Sequence, residues 1–545
     1  MIAFFLSVVP TAFCREVSPK FLIIHLDAVS SSKFFQYMEE EYLPNTKAIF
    51  KEGHAIKYGL SLFPGGTENI IPRLKEGLGN ETGENIGWGY YNREKGREVS
   101  GIKSFSNLFS AIPRRAQFSM LYGLPVIDSL MFLPMMNIPQ LLETYGVIQL
   151  YWFSPDAAGH VFGEKIYLNS IRRFDRYLGR LVKRLNLDEV NLILYCDHGM
   201  ALDNEIVIDH VLEINRVLGD GLESFFFPNV YLKDLNLKEY YAQKIVQETK
   251  IDFTFYKENG YPDIVRGYSI DSKVIFQENG EGKIRYLFEG KDEFSYYTDG
   301  YQGEWLSADE WLILTRKSKF PAVPPNIFGF LSNKNAGDIV LVVNPPHLIF
   351  TNLIFDYTGN HHGVTDMDLL VPILLRGKEL EHLYDREEMW LHTLFTSIPN
   401  LSFYGSTPER ENHSLSLWGN LKDGEFEFPG FELTLSPHYR WNLALRHEND
   451  ITKGWFEYDV YSSYVIRLWA GAGVEYRASE NSWEPFLQSR LQMDFDRIQF
   501  NYGGQVHLNN FKEWQENRKE INYRINKNLY LNWQIPNRLG FTLHW

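Results

Sequence analysis

The sequence predicts an α/β domain with a mostly parallel sheet sandwiched by helices, carrying an inserted cap, and after it an all-β domain. Three observations carry this prediction. Between residue 20 and about residue 400, short continuous apolar runs alternate with amphipathic helical stretches, the mark of strands buried on both faces of a parallel sheet. After about residue 405 helical spacing gives way to period-two alternation, the signature of half-buried strands. The length of 545 residues also exceeds what one hydrophobic core usually serves.

Taken in order, the chain opens on "MIAFFLSVVPTAFC", apolar for about the length of an export-signal core and too short to span a bilayer. Residues 1–18 therefore read as an export signal, although no Lys or Arg precedes the apolar core. The runs "FLIIHLD", "VIQLYWF" and "NLILYCD" are the clearest strands of the domain expected over 19–404. A helix is expected over 164–185, with Tyr167, Ile171, Phe174, Leu178, Leu181 and Leu185 on its inner side and Arg and Lys opposite. Residues 251–335 read as the inserted cap, with a hairpin turning through Glu-Asn-Gly-Glu-Gly. Its aromatic residues Tyr296, Tyr297 and Trp305 suit either a cleft lining or packing within the insert.

The all-β domain is expected over 405–545 with about eight strands. Alternation of this kind fits a soluble sandwich and equally a small eight-stranded outer-membrane barrel. Tyr and Trp near strand ends, an Asn-rich opposite face, and the ending "LGFTLHW" favour the barrel. The expected location is accordingly the periplasm or outer membrane of a Gram-negative bacterium.

Charge and cysteine content narrow the function. A net charge of -15 and a pI near 5.5 speak against duplex nucleic acid as a partner, because phosphate-backbone binding needs a basic footprint. With Cys14 and Cys196 as the only cysteines, there is neither a disulfide framework nor a cysteine zinc site. Cys196, at the end of a buried-looking strand, reads as a small hydrophobe.

Parallel sheets present their functional groups at the carboxyl ends of their strands. That rule collects Asp27 after "FLIIHL", Asp156 and His160 in "SPDAAGH", Asp197 and His198 after "NLILYC", and His361 or His362 in "YTGNHHGVTD". Three carboxylates and three imidazoles suit zinc or similar divalent metals and are enough for two ions. In "SPDAAGH" the small residues Ala157, Ala158 and Gly159 are expected to let a loop turn Asp156 and His160 toward one ion. Thr67, in "FPGGTENIIPRLKEG", reads as a helix N-cap before residues 68–75, and a helix N-terminus is also an anion site.

Four stretches, "LDAVSSSKFFQYMEEEYLPNTKAIFKEG", "FPGGTENIIPRLKEG", "SPDAAGHVFGE" with "RRFDRYLGRL", and "LILYCDHGM" with the later "GNHHGV", together resemble the alkaline phosphatase superfamily, and within it the nucleotide pyrophosphatase and type I phosphodiesterase branch. The resemblance implies an alkaline phosphatase-like fold and a hydrolase of phosphodiester or pyrophosphate bonds, with two divalent metal ions, zinc in this family, and a phosphothreonine intermediate. It implies that Asp156, His160 and His362 hold one metal, that Asp27, Asp197 and His198 hold the other, and that Thr67 is both nucleophile and ligand. His361 is the alternative to His362. Where this family has Gly after its first Asp, the chain has Ala28. Diesterases of the branch place an Asn about twenty residues beyond the nucleophile; near that place the chain offers Asn85, Asn92 and Arg93 as substrate-binding residues. The expected substrate is a phosphate ester or nucleotide-like small molecule. The other readings are a phosphomonoesterase or phosphoethanolamine transferase of the same superfamily, and an inactive, membrane-anchored binding module.

Overall fold

The computed structural model describes residues 19–544 apart from 75, 84–85, 101–127, 131, 203–205, 350–357 and 402–412, and in the C-terminal part 423–424, 439–440, 463–465, 496, 510–513, 527 and 536–537. The expected export signal and Cys14 lie outside these residues.

The α/β part is built on a six-stranded sheet in the order Glu388–Trp390, His54–Leu60, Leu370–Arg376, Val190–Tyr195, Lys20–Leu26, Val147–Trp152. Five strands run parallel and Leu370–Arg376 runs against them. Every residue of Val190–Tyr195 is buried, as continuous apolar strands covered on both faces must be. The helix expected over 164–185 spans Ser154–Val182, and its inner residues Tyr167, Ile171, Phe174, Leu178 and Leu181 are buried.

The hairpin expected in the cap forms from Ser272–Glu278 and Ile284–Gly290. These strands belong to a seven-stranded sheet that also takes in Leu222–Phe226, Asn229–Leu232 and Ile339–Val342, so this unit recruits chain on both sides of 251–335. Its aromatic residues pack within it. Tyr296 is fully buried against Phe294 and Trp311, Tyr297 lies against Phe288 and Tyr301, and the Arg285 guanidinium sits over Trp305.

The C-terminal part is a closed barrel of ten strands, from Ser414–Lys422 to Arg538–His544, and not of eight. Two strands escape a reading by alternation for physical reasons. In the sequence the apolar residues from Phe431 to Leu445 keep to odd positions throughout, so that two paired strands, Glu425–His438 and Trp441–Glu448, read as one. The first strand, Ser414–Lys422, is half Ser, Gly and Asn and carries a weak signal. It pairs with the last strand, Ser414 opposite His544, and closes the cylinder.

Candidate active site

The donors meet at the carboxyl ends of the strands. Asp27 follows Lys20–Leu26 and is buried. Asp197 and His198 follow Val190–Tyr195 and are buried as well. His198 Nε2 lies 3.3 Å from Asp27 Oδ1 and 3.5 Å from Asp197 Oδ2. Its Nδ1 is 2.9 Å from the Gly199 carbonyl oxygen, which fixes the ring.

Asp156 and His160 reach the site from a helical turn, where the sequence suggests a loop. The helix Ser154–Val182 includes both, and positions i and i+4 share one helical face. His160 Nε2 lies 3.3 Å from Asp156 Oδ1, and Nδ1 lies 2.8 Å from the Gly359 carbonyl oxygen. The helix is broken just beyond, at Gly163, whose φ of 73° falls in the left-handed region. That break lets the first turn point at the site while the remainder packs on the sheet.

Of the two adjacent histidines, His361 is the one that joins Asp156 and His160. Its Nε2 is 2.9 Å from His160 Nε2 and 3.4 Å from Asp156 Oδ1, its Nδ1 contacts the Gly65 carbonyl, and its ring stacks 3.9 Å from that of His198. His362 instead turns toward Phe227, at 5.5 Å between ring centroids. His361 is thus the histidine that touches Asp156 and His160, while the His362 ring stands beside it, 4.5 Å between centroids, and packs toward Phe227.

Thr67 is the first residue of the helix Thr67–Leu74 rather than its cap. The Gly66 carbonyl accepts from the N–H groups of Asn69 and Ile70, so Gly66 holds the cap position and the Thr67 hydroxyl is free of that duty. It donates to Asp197 Oδ2 at 2.8 Å and lies 3.4 Å from His198 Nε2. A Cβ on Gly65 would meet the His361 carbonyl oxygen at 2.7 Å and His198 Cβ at 3.3 Å, which is why "FPGGT" needs glycine to lay the helix start over the imidazoles.

Two neighbours escape the sequence reading. His25 is buried on the same face of its strand as Asp27, two residues on, and its Nε2 lies 2.9 Å from Asp197 Oδ1; the period of two along a strand was the signal that would have found it. Glu68 is buried beside Thr67, and burial, with Asp156 and Asp197 adding to it, pushes its carboxyl up to about 7. The Ala28 departure is also more than a small change. Its φ of 57° is left-handed, a conformation that costs a residue with a Cβ about 1 kcal/mol.

The substrate residues proposed from spacing do not gather here. Asn85 lies outside the described residues. The Asn92 side chain accepts from the Lys95 N–H within its own turn, and Arg93 pairs with Asp338 and donates to the Leu232 carbonyl.

The electrostatics ask for a cation. Burial, followed by the carboxylates of Asp197 and Asp156, pushes Asp27 well above the usual carboxylate range. Burial acts upward on Asp156 too, but His160 and His361 outweigh it and hold that carboxyl well below the range. No lysine or arginine among the described residues pairs with Asp27, Asp156 or Asp197. Asp27 Oδ1 and Asp156 Oδ1 are buried, and the groups nearest them are the imidazole nitrogens of His198 and His160, each 3.3 Å away. Donor atoms of Asp156, His198 and His361, and separately of His25, Asp27 and Asp197, lie within 4.8 Å of one another. Buried, mutually repelling carboxylates gathered with imidazole nitrogens fit divalent metal ions.

A mostly parallel sheet with carboxylate and imidazole donors gathered at one set of strand ends defines an α/β protein with a candidate metal centre. Residues 124–365 match the family model for Type I phosphodiesterase / nucleotide pyrophosphatase. The matched segment holds Asp156, His160, Asp197, His198 and His361, while Asp27 and Thr67 lie upstream of it. The chain is 37% identical over 79 residues to the bis(5'-adenosyl)-triphosphatase enpp4 of Xenopus laevis, a stretch covering 13% of this chain and 17% of that protein. The chain thus spans under a fifth of the length of this curated relative. Murine ectonucleotide pyrophosphatase / phosphodiesterase 5 is 16% identical, with a TM-score of 0.45, over 71% of this chain and 97% of the murine one. The human protein of the same name is 16% identical over the same shares, with a TM-score of 0.41. At these scores the two likenesses carry no functional weight.

Proposed function

We propose that this chain is a metal-dependent hydrolase of phosphodiester or phosphoanhydride bonds, with Thr67 as nucleophile. The observation that carries the reading is the Thr67 hydroxyl, set at a helix N-terminus 2.8 Å from Asp197 Oδ2 and beside two groups of metal-type donors. Asp156, His160 and His361 would hold one ion, and Asp27, Asp197 and His198, with Thr67, the other; the oxygen and nitrogen donor set suits zinc. Bound divalent ions lower the pKa of a coordinated hydroxyl and offset charge on the phosphoryl oxygens.

This chain's own residues supply the remainder. The Thr67 oxygen, oriented by its hydrogen bond to Asp197 Oδ2, forms a bond to phosphorus as the bond to the leaving oxygen breaks, and the proton it gives up ends on that leaving oxygen. The backbone N–H groups at the start of the helix Thr67–Leu74 face the phosphoryl oxygens. Water then cleaves the phosphothreonine and restores the hydroxyl. The family match of residues 124–365 and the name of the curated relative support a phosphodiester or a phosphoanhydride between nucleosides as substrate.

The test is hydrolysis of bis(4-nitrophenyl) phosphate, 4-nitrophenyl phosphate and diadenosine triphosphate by protein stripped with a chelator and restored with zinc. Thr67→Ala is expected to lower turnover by about 1,000-fold or more. Preference for the monoester would replace the diesterase reading with a phosphomonoesterase. Bound metal without turnover of any of the three would favour a transferase, and failure to bind metal would leave only the inactive binding module.

A further inference from the structure

The barrel reverses the usual order of burial. Soluble barrels fill their interior with apolar side chains. Here the interior holds charge: Glu457 pairs with Arg490 at 2.7 Å, Lys453 with Glu475 at 2.7 Å, and Arg518 with Glu432 and Glu520. The acidic partners Glu432, Glu457, Glu475 and Glu520 are all buried. Leucines face out instead. Leu443 is 49% exposed, Leu468 42% and Leu543 49%.

From these observations we infer that the barrel of residues 414–544 is embedded in a lipid bilayer, with acyl chains covering its outer surface. The apolar surface is a belt and not a patch. Each of the ten strands presents at least one exposed apolar or aromatic side chain, from Leu417 on the first through Leu443, Leu468 and Tyr502 to Phe541 on the last. A protein partner covers one side of a cylinder; only a surrounding medium covers the whole circumference.

Most exposed aromatic residues of the barrel gather toward the two ends of the belt, while Tyr502 and Phe541 lie midway along their strands. Trp441 opens its strand and Tyr523 lies at the close of its own, at the end of the barrel that holds Ser414 and His544. Trp483, Trp514 and Trp533 lie toward the opposite end. An aliphatic band between two aromatic girdles is the pattern of a transmembrane barrel, whose strands need about 9 to 11 residues to cross. Six of the ten strands run for 10 to 14 residues. Closure leaves no unpaired sheet edge to face the hydrocarbon. The α/β part meets the barrel at the end holding both of its chain ends, where the Asn137 side chain donates to the Asp494 carbonyl at 2.7 Å. The candidate active site is thereby held at one face of the membrane.

The experiment uses the full chain reconstituted from detergent into phosphatidylcholine vesicles, with and without brominated acyl chains. The protein is expected to float with the vesicles after a carbonate wash, to lose tryptophan fluorescence to the bromine, and to migrate differently on a detergent gel before and after boiling. Leu445→Arg, placed on the outward face between the girdles, is expected to lower the folded fraction in vesicles by roughly 30-fold or more. Release by carbonate, or bromine-independent fluorescence, would overturn the inference. So would a monodisperse monomer or dimer in detergent-free buffer. If Leu445→Arg does not fold in any medium, the wild-type quenching and flotation decide alone, and none of these readouts depends on turnover.

Discussion

Two adjacent imidazoles, His361 and His362, have opposite surroundings: one is within 3.4 Å of Asp156 and stacked on His198, the other is turned to Phe227. The first is therefore the better placed to share a metal ion with Asp156 and His160, although the two rings are only 4.5 Å apart between centroids. His361→Ala is expected to weaken binding of one of the two zinc ions by 100-fold or more, while His362→Ala changes it by less than about 10-fold. Zinc titration by calorimetry checks this, and equal losses in the two variants would reverse the assignment. The other donors were readable because a strand end followed by Asp is local information: Asp27 and Asp197 each close an apolar run. Choosing between His361 and His362 depends on how their segment lies against Phe227 and Gly65, and adjacency in sequence says nothing about that. Asn92 and Arg93 fail for the same kind of reason. Spacing places them near the nucleophile along the chain, but the turn at Lys95 and the carboxylate of Asp338 claim their side chains.

The helix Thr67–Leu74 is positioned from behind by its own Arg73, which is buried and donates to the Thr82 and Gly79 carbonyls. Beside that guanidinium sits His392, with a buried Nδ1 that makes no hydrogen bond. Burial, and then the Arg73 charge, push the His392 imidazole down to about 4. A folded pKa below the unfolded value of about 6.5 means that the stability is fully present above pH 6.5 and is lost as pH falls toward 4. Between pH 7.5 and pH 5 this one group takes about 2 kcal/mol from the α/β part. His392→Gln is expected to remove that portion of the acid sensitivity, seen as a smaller shift of the urea midpoint between the two pH values. Identical shifts in both proteins would show that His392 is solvated when folded. At this scale the sequence was legible wherever periodicity stayed within one element, as along the buried face of Ser154–Val182. It failed where a pattern crossed an element boundary. The helical start at Ser154 was hidden by Pro, Ala and Gly, and the turn between Glu425–His438 and Trp441–Glu448 preserved the alternation on either side of it.

The whole molecule joins two bodies with opposite solvation rules. The α/β part buries continuous apolar strands and gathers uncompensated carboxylates at one end of its sheet. The barrel buries ion pairs and exposes leucine. Metal ions at the candidate active site would bind the first, and binding to the folded state alone stabilises it by about 4 kcal/mol at a thousandfold excess over Kd. Chelation is therefore expected to lower the melting temperature of the α/β part by several degrees and to leave the boiling-dependent gel shift of the barrel unchanged. Readdition of zinc should reverse the loss, and Asp27→Asn should abolish the response to zinc by neutralising a carboxylate whose repulsion with Asp197 the ion relieves. Calorimetry with and without chelator, run beside the gel assay on the same samples, separates the two bodies. A melting temperature indifferent to chelator would place the stabilisation of the buried carboxylates in protons rather than in metal. A gel shift lost together with the metal would mean that the barrel depends on the α/β part to stay folded, and that the two are coupled through the contact between Asn137 and Asp494.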